Sequence, residues 1–224
     1  MSKQPTLKSG KFDSLMDILE QPDIRSVGVL ADVHKGKTNL IQVAIKAIRD
    51  NYIAKMYSYG LPTTNEGVIK INSIEELERI HSSWIFIDEF PSLFSLSNRR
   101  QVELFERSMS LVFQANVNNR ILICGHPHSF NKFLGSLLQV MIFKQLTLSD
   151  LIQRSPTERV LAAYSSDASN IVQKGSRVLA MPKNIALVYD TITGHYSEID
   201  IPYNKETDVK LTAEPIMVPR IKAK

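Results

Sequence analysis

Between residues 27 and 48 the sequence commits the backbone to a strand, a tight loop and a helix in immediate succession. Val27-Gly28-Val29-Leu30 is a short apolar run of the kind that forms a buried strand. Directly after the loop, Leu40, Ile41, Ala44, Ile45 and Ile48 recur at helical spacing and mark one apolar face. The joining segment, Ala31-Asp32-Val33-His34-Lys35-Gly36-Lys37-Thr38, fits the phosphate-binding loop pattern with Ala in place of the first Gly. The chemistry accounts for the residue types. Loop amides must turn inward toward phosphate oxygens, and Gly36 lets the backbone come close. Lys37 supplies a cation for the β- and γ-phosphates, and Thr38 a hydroxyl for Mg²⁺. Asp32, Val33, His34, Lys35, Gly36, Lys37, Thr38 and Asn39 are therefore the expected nucleotide contacts.

Further apolar runs follow. Strands are predicted at 53–59, 68–71, 84–87, 120–124 and 140–143. Helices are predicted over 11–20, from a capping box at Ser73 to about His81, over 99–116 and over 131–138. Short strands apolar on both faces and alternating with helices imply a mainly parallel sheet covered on both sides. After Asp150 the pattern shifts to 178–181, 185–189 and 196–201, broken by Pro182-Lys183-Asn184 and Thr193-Gly194, which reads as antiparallel strands. Residues 1–10 are polar and expected to fray. The organisation predicted is an N-terminal helical extension (1–23), one main domain (24–203) and a polar tail (204–224).

Trp84-Ile85-Phe86-Ile87 ends in Asp88-Glu89. At the tip of a buried strand Asp88 can reach the Mg²⁺ shell, and Glu89 can hold and polarise an attacking water. Coming about fifty residues after a phosphate loop, the pair is far more specific than an isolated Asp-Glu. The run Ile121-Leu122-Ile123-Cys124 ends in Gly125-His126-Pro127-His128. His126 is the candidate for a polar sensor of the γ-phosphate or the water; a loop histidine and a metal ligand are its other readings.

Composition narrows the class. The chain is 43% hydrophobic and 22% charged, which places it with globular proteins and away from disordered ones. Its net charge of +4 is compatible with a polyanionic partner without requiring one. The single cysteine, Cys124, cannot form an intramolecular disulfide and lies in an apolar run. No stretch is apolar enough for a membrane span, and a cytoplasmic location is expected, in the host cell or the virion if the source is viral.

The order of parts now resembles a family. A phosphate loop, the acidic pair in Ile87-Asp88-Glu89-Phe90, a long helix, a strand ending in Gly125-His126-Pro127, then another helix and strand are similar to the FtsK/HerA superfamily of DNA-translocating ATPases. The small size is most like the genome-packaging ATPases of membrane-containing icosahedral viruses. The resemblance covers roughly residues 24–190, with His126 where the family usually has glutamine. It implies an α/β, RecA-like P-loop NTPase fold, with a mainly parallel sheet, helices on both faces and a small antiparallel C-terminal extension. It further implies ATP and Mg²⁺, a homo-oligomeric and expectedly hexameric ring, and double-stranded DNA as a non-sequence-specific partner. An arginine supplied by the neighbouring subunit is implied too, with Arg99, Arg100 and Arg120 as candidates. Lys132, Lys144, Arg220, Lys222 and Lys224 are candidates for DNA phosphates, and the tail could equally hold a capsid vertex or a membrane surface.

Three rival readings carry different expectations. A filamentous-phage-assembly-like or conjugation-type ATPase shares the two motifs, but the phage type usually adds a transmembrane segment. A non-motor nucleotide-binding switch would have no use for Glu89. A small-substrate kinase would want arginines in 131–143, and there are none.

Overall fold

In the computed structural model, residues 8–31, 36–61, 65–88, 99–114, 118–126, 136–144 and 184–202 are described. The expected helix over most of 131–138 and the strand at 178–181 lie outside them. Nine strands form one sheet: β1 (Lys8–Ser9), β2 (Ser26–Ala31), β3 (Lys55–Tyr59), β4 (Val68–Lys70), β5 (Ser83–Ile87), β6 (Arg120–Gly125), β7 (Val140–Lys144), β8 (Ile185–Asp190) and β9 (His195–Asp200). Their spatial order is β1-β9-β8-β7-β2-β6-β5-β3-β4. From β7 to β4 every pairing is parallel, whereas β8 runs antiparallel to both β7 and β9. The chain thus has the mainly parallel, RecA-like P-loop NTPase fold with an antiparallel C-terminal extension.

Strand alternation divides the core. Val27, Val29, Phe86, Leu122, Cys124, Val140 and Ile142 pack on one face against α1 (Leu15–Glu20) and α2 (Lys37–Asn51). Ile85, Ile87, Ile121 and Ile123 pack on the other against the 3₁₀ helix Ile74–Arg79 and α3 (Arg99–Val112). Helices therefore cover both faces.

Two expectations need correcting, and a third gains detail: the segment after Ser73 keeps its capping box and forms its expected helix as a 3₁₀ helix. Its buried residues Ile74, Leu77 and Ile80 are three apart, the spacing at which a 3₁₀ helix stacks side chains. The long helix stops at Val112 instead of 116. Residues 8–9 do not fray. They pair in parallel with β9, and the amides of Lys11 and Phe12 both donate to Ser197 Oγ.

Asp190, at the end of β8, fastens this N-terminal segment. Its carboxylate accepts from Lys11 Nζ at 2.9 Å and from the amides of Ile192 and Thr193 at 2.9 and 3.2 Å, which fixes the β8–β9 turn. Burial raises its pKa, but the lysine, Thr193 and the turn amides outweigh that and hold it below the usual carboxylate value. A depressed native pKa means the stabilisation is present above the unfolded value of about 4. It is lost as pH falls through the native pKa. Asp190→Asn is expected to lower the melting temperature by several degrees at pH 7, for a loss of about 1.5–3 kcal/mol. It should also flatten the acid dependence of melting between about pH 5 and 3. A melt-versus-pH curve indistinguishable from wild type would remove Asp190 from this role.

Candidate active site

The candidate site assembles at the carboxyl ends of β2, β6 and β5, where parallel strands hand over to loops. β2 delivers the phosphate loop. Gly36 caps α2 with φ of +86°, a left-handed conformation that costs glycine nothing and any other residue strain. No side chain caps this helix, which forfeits only roughly a few tenths of a kcal/mol with glycine at the cap. Buried Leu40, Ile41, Ile45 and Ile48 offset that several times over, at about 1.5–3 kcal/mol each. The first turn is held by packing, and the positive end of the helix dipole lies at Gly36.

Lys37 is buried and its Nζ donates to the carbonyl of Ala31 at 3.0 Å, folding back over the start of its own loop. β5 supplies the acidic partner. Phe86 lies in the core on the α2 face, so two residues on Asp88 points toward the same helix. Asp88 is fully buried, its amide donating to the Tyr59 carbonyl at 3.0 Å and its Oδ2 accepting from Thr38 Oγ1 at 2.8 Å. Two residues 50 apart in sequence thereby meet. Both offer hard oxygens, the donor type Mg²⁺ takes while keeping water and phosphate in its remaining positions. A hydroxyl and a carboxylate converging at the mouth of a phosphate loop fit that ion.

β6 lies between β2 and β5, with Gly125 opposite Leu30 and Ile123 opposite Ile87. His126 follows at the tip of this central strand, half-buried, on the edge where Thr38 and Asp88 meet. Asn39, on the first turn of α2, donates through Nδ2 to the Pro202 carbonyl at 3.3 Å, tying the end of β9 to the site. Asp32, Val33, His34, Lys35 and Glu89 lie outside the described residues.

The arginines divide. Arg99 and Arg100 open α3 exposed to solvent, Arg99 paired with Glu103 at 2.8 Å. Arg120 begins β6 at the opposite edge of the sheet. It donates to the Leu19 carbonyl at 2.6 Å, and its guanidinium stacks 5.2 Å from the Trp84 ring centre. Of the expected DNA contacts, Lys132, Arg220, Lys222 and Lys224 lie outside the described residues. Lys144 is only 3% exposed, because the register places it opposite Ala31, beside the phosphate loop. It is not a surface contact. Among the described residues no helix is long and apolar enough to cross a membrane.

No family model and no curated protein sequence matches the chain. Solved structures do match its fold. The genome packaging NTPase B204 from Sulfolobus turreted icosahedral virus 2, in complex with ATP-γS, aligns with a TM-score of 0.53 at 12% identity, over 82% of this chain and 99% of that one. The DNA-packaging ATPase B204 from Sulfolobus Turreted Icosahedral Virus gives 0.51 at 12% identity, over 80% and 98%. The cytoplasmic domain of the Type VII secretion ATPase EccC from Thermomonospora curvata gives 0.52 at 10% identity, over 82% of this chain and 24% of EccC. At these identities the likeness is one of fold.

Proposed function

We propose that this chain is an ATP-hydrolysing DNA translocase that works as a ring, most like a viral genome-packaging motor. The observation that carries the reading is the 2.8 Å hydrogen bond from Thr38 to Asp88, which joins the end of the phosphate loop to the acidic strand. In this reading the loop amides and Lys37 bind the phosphates, and Thr38 and Asp88 hold Mg²⁺. Held there, the ion would supply positive charge to offset the negative charge developing on the phosphates. Glu89 takes the proton from the attacking water, and His126 contacts the γ-phosphate or that water. Arg99 and Arg100 are better placed than Arg120 to reach a neighbouring subunit, since Arg120 is engaged within its own domain by Leu19 and Trp84.

Packaging is favoured by the fold shared with B204 over 82% of this chain and 99% of that one. The fold shared with part of EccC supports a second reading, a motor of a secretion system. Steady-state ATP hydrolysis with and without duplex DNA at about 50 and 200 mM salt, together with native mass, separates them. The translocase reading expects DNA to raise turnover several-fold, stimulation to fall steeply with salt, and a mass several times the 25.3 kDa subunit. Hydrolysis indifferent to DNA from a particle of subunit mass would sink it. No hydrolysis at all would sink the enzyme with it.

A further inference from the structure

Lys144 ends β7, the strand flanking β2 on the side away from β6. In parallel register it stands opposite Ala31, the last residue of β2 before the phosphate loop. Its side chain is 3% exposed, and its Nζ lies 3.5 Å from where a side chain on Gly36 would begin. The ammonium group therefore rests against the backbone that turns the loop into α2. Lys37, also 3% exposed, reaches back to Ala31 from the other end of that turn. The loop is thus flanked by two buried cations.

Among the described residues the Lys144 side chain has neither a hydrogen bond nor an ion pair at contact distance. Burial pulls its pKa down, and only the more distant charge of exposed Asp200 pulls it up. A buried ammonium is costly unless an anion meets it. A tri- or diphosphate carries several negative charges into this position.

We propose that Lys144 is a second phosphate-binding lysine, contributing a direct charged contact to the nucleotide's polyphosphate from the β7 side. This rests on the nucleotide-binding reading of the loop. It also gives the antiparallel extension a place in the site, because β7 joins that extension to the ATPase core and Asp200 lies on β9.

The test is ATP-γS binding in the presence of Mg²⁺, by titration calorimetry, on full chains of wild type, Lys144→Met and Lys37→Ala. Methionine keeps the length and apolar stem and removes the charge. A charged hydrogen bond predicts a Kd raised about ten- to a hundredfold in Lys144→Met, with melting of the free protein preserved or improved. Binding within threefold of wild type, beside a Lys37→Ala chain that has lost binding, overturns the role of Lys144 alone. If Lys37→Ala binds as tightly as wild type, the nucleotide reading itself fails. Should Lys144→Met not fold, ¹⁵Nζ lysine ammonium spectra of the wild-type chain decide. Two buried ammonium signals are expected to move on adding ATP-γS, and movement of one only refutes the second lysine.

Discussion

Lys37→Ala is expected to cut ATP turnover by about a thousandfold or more, with the fold left standing. Within the domain the side chain donates a hydrogen bond to the Ala31 carbonyl. Losing it costs on the order of 1 kcal/mol, a fraction of the 5–15 kcal/mol that roughly holds a domain together. The catalytic loss is much larger because the charge serves phosphates in a site shielded from water, where a preorganised donor counts for several times its worth in solvent. Phosphate release and circular dichroism on the same preparation separate the two effects. A variant that is folded and within tenfold of the wild-type rate would remove Lys37 from the phosphates. An unfolded one would show its work to be structural.

Glu89→Gln should separate binding from hydrolysis. In sequence Glu89 directly follows Asp88, whose amide donates to the Tyr59 carbonyl at the end of β5. Glutamine keeps the shape and still orients a water, but it cannot accept the proton. A loss of about 10²–10⁴ in kcat is expected, with ATP-γS affinity within a few-fold of wild type. Such a variant would accumulate the nucleotide-bound state, which also suits it to trapping a ring on DNA. If affinity falls as far as the rate, Glu89 is a ligand or a structural group and the water must be activated elsewhere.

What could be read before the fold was seen follows from how local each signal is. β2, β5, β6 and β7 are buried on both faces, so they appear as unbroken apolar runs. The meeting of Thr38 with Asp88 was legible because each residue ends a segment whose type is fixed by its own neighbours. The helix after Ser73 was legible from its cap, which is a local pattern, but the cap does not distinguish a 3₁₀ helix from an α-helix. Lys144 was misread for a different reason. A lysine closing an apolar run looks like a charge surfacing into water, and only the alignment of β7 with β2 turns it under the loop. Nothing near Lys8 and Ser9 marks a strand either, since their partner lies on a distant hairpin.

That pairing bears on how the molecule is made. β1 finds its place only on β9, and Lys11 and Ser197, which bond beside it, are 186 residues apart. On the ribosome the N-terminal segment must wait, unmatched, for almost the whole domain to emerge. Until it docks, the outer flank of β9 presents bare amides and carbonyls to any passing strand. Closure of so long a loop is slow, so a shortage of chaperones should be felt at this seam first, as misassembly between nascent chains.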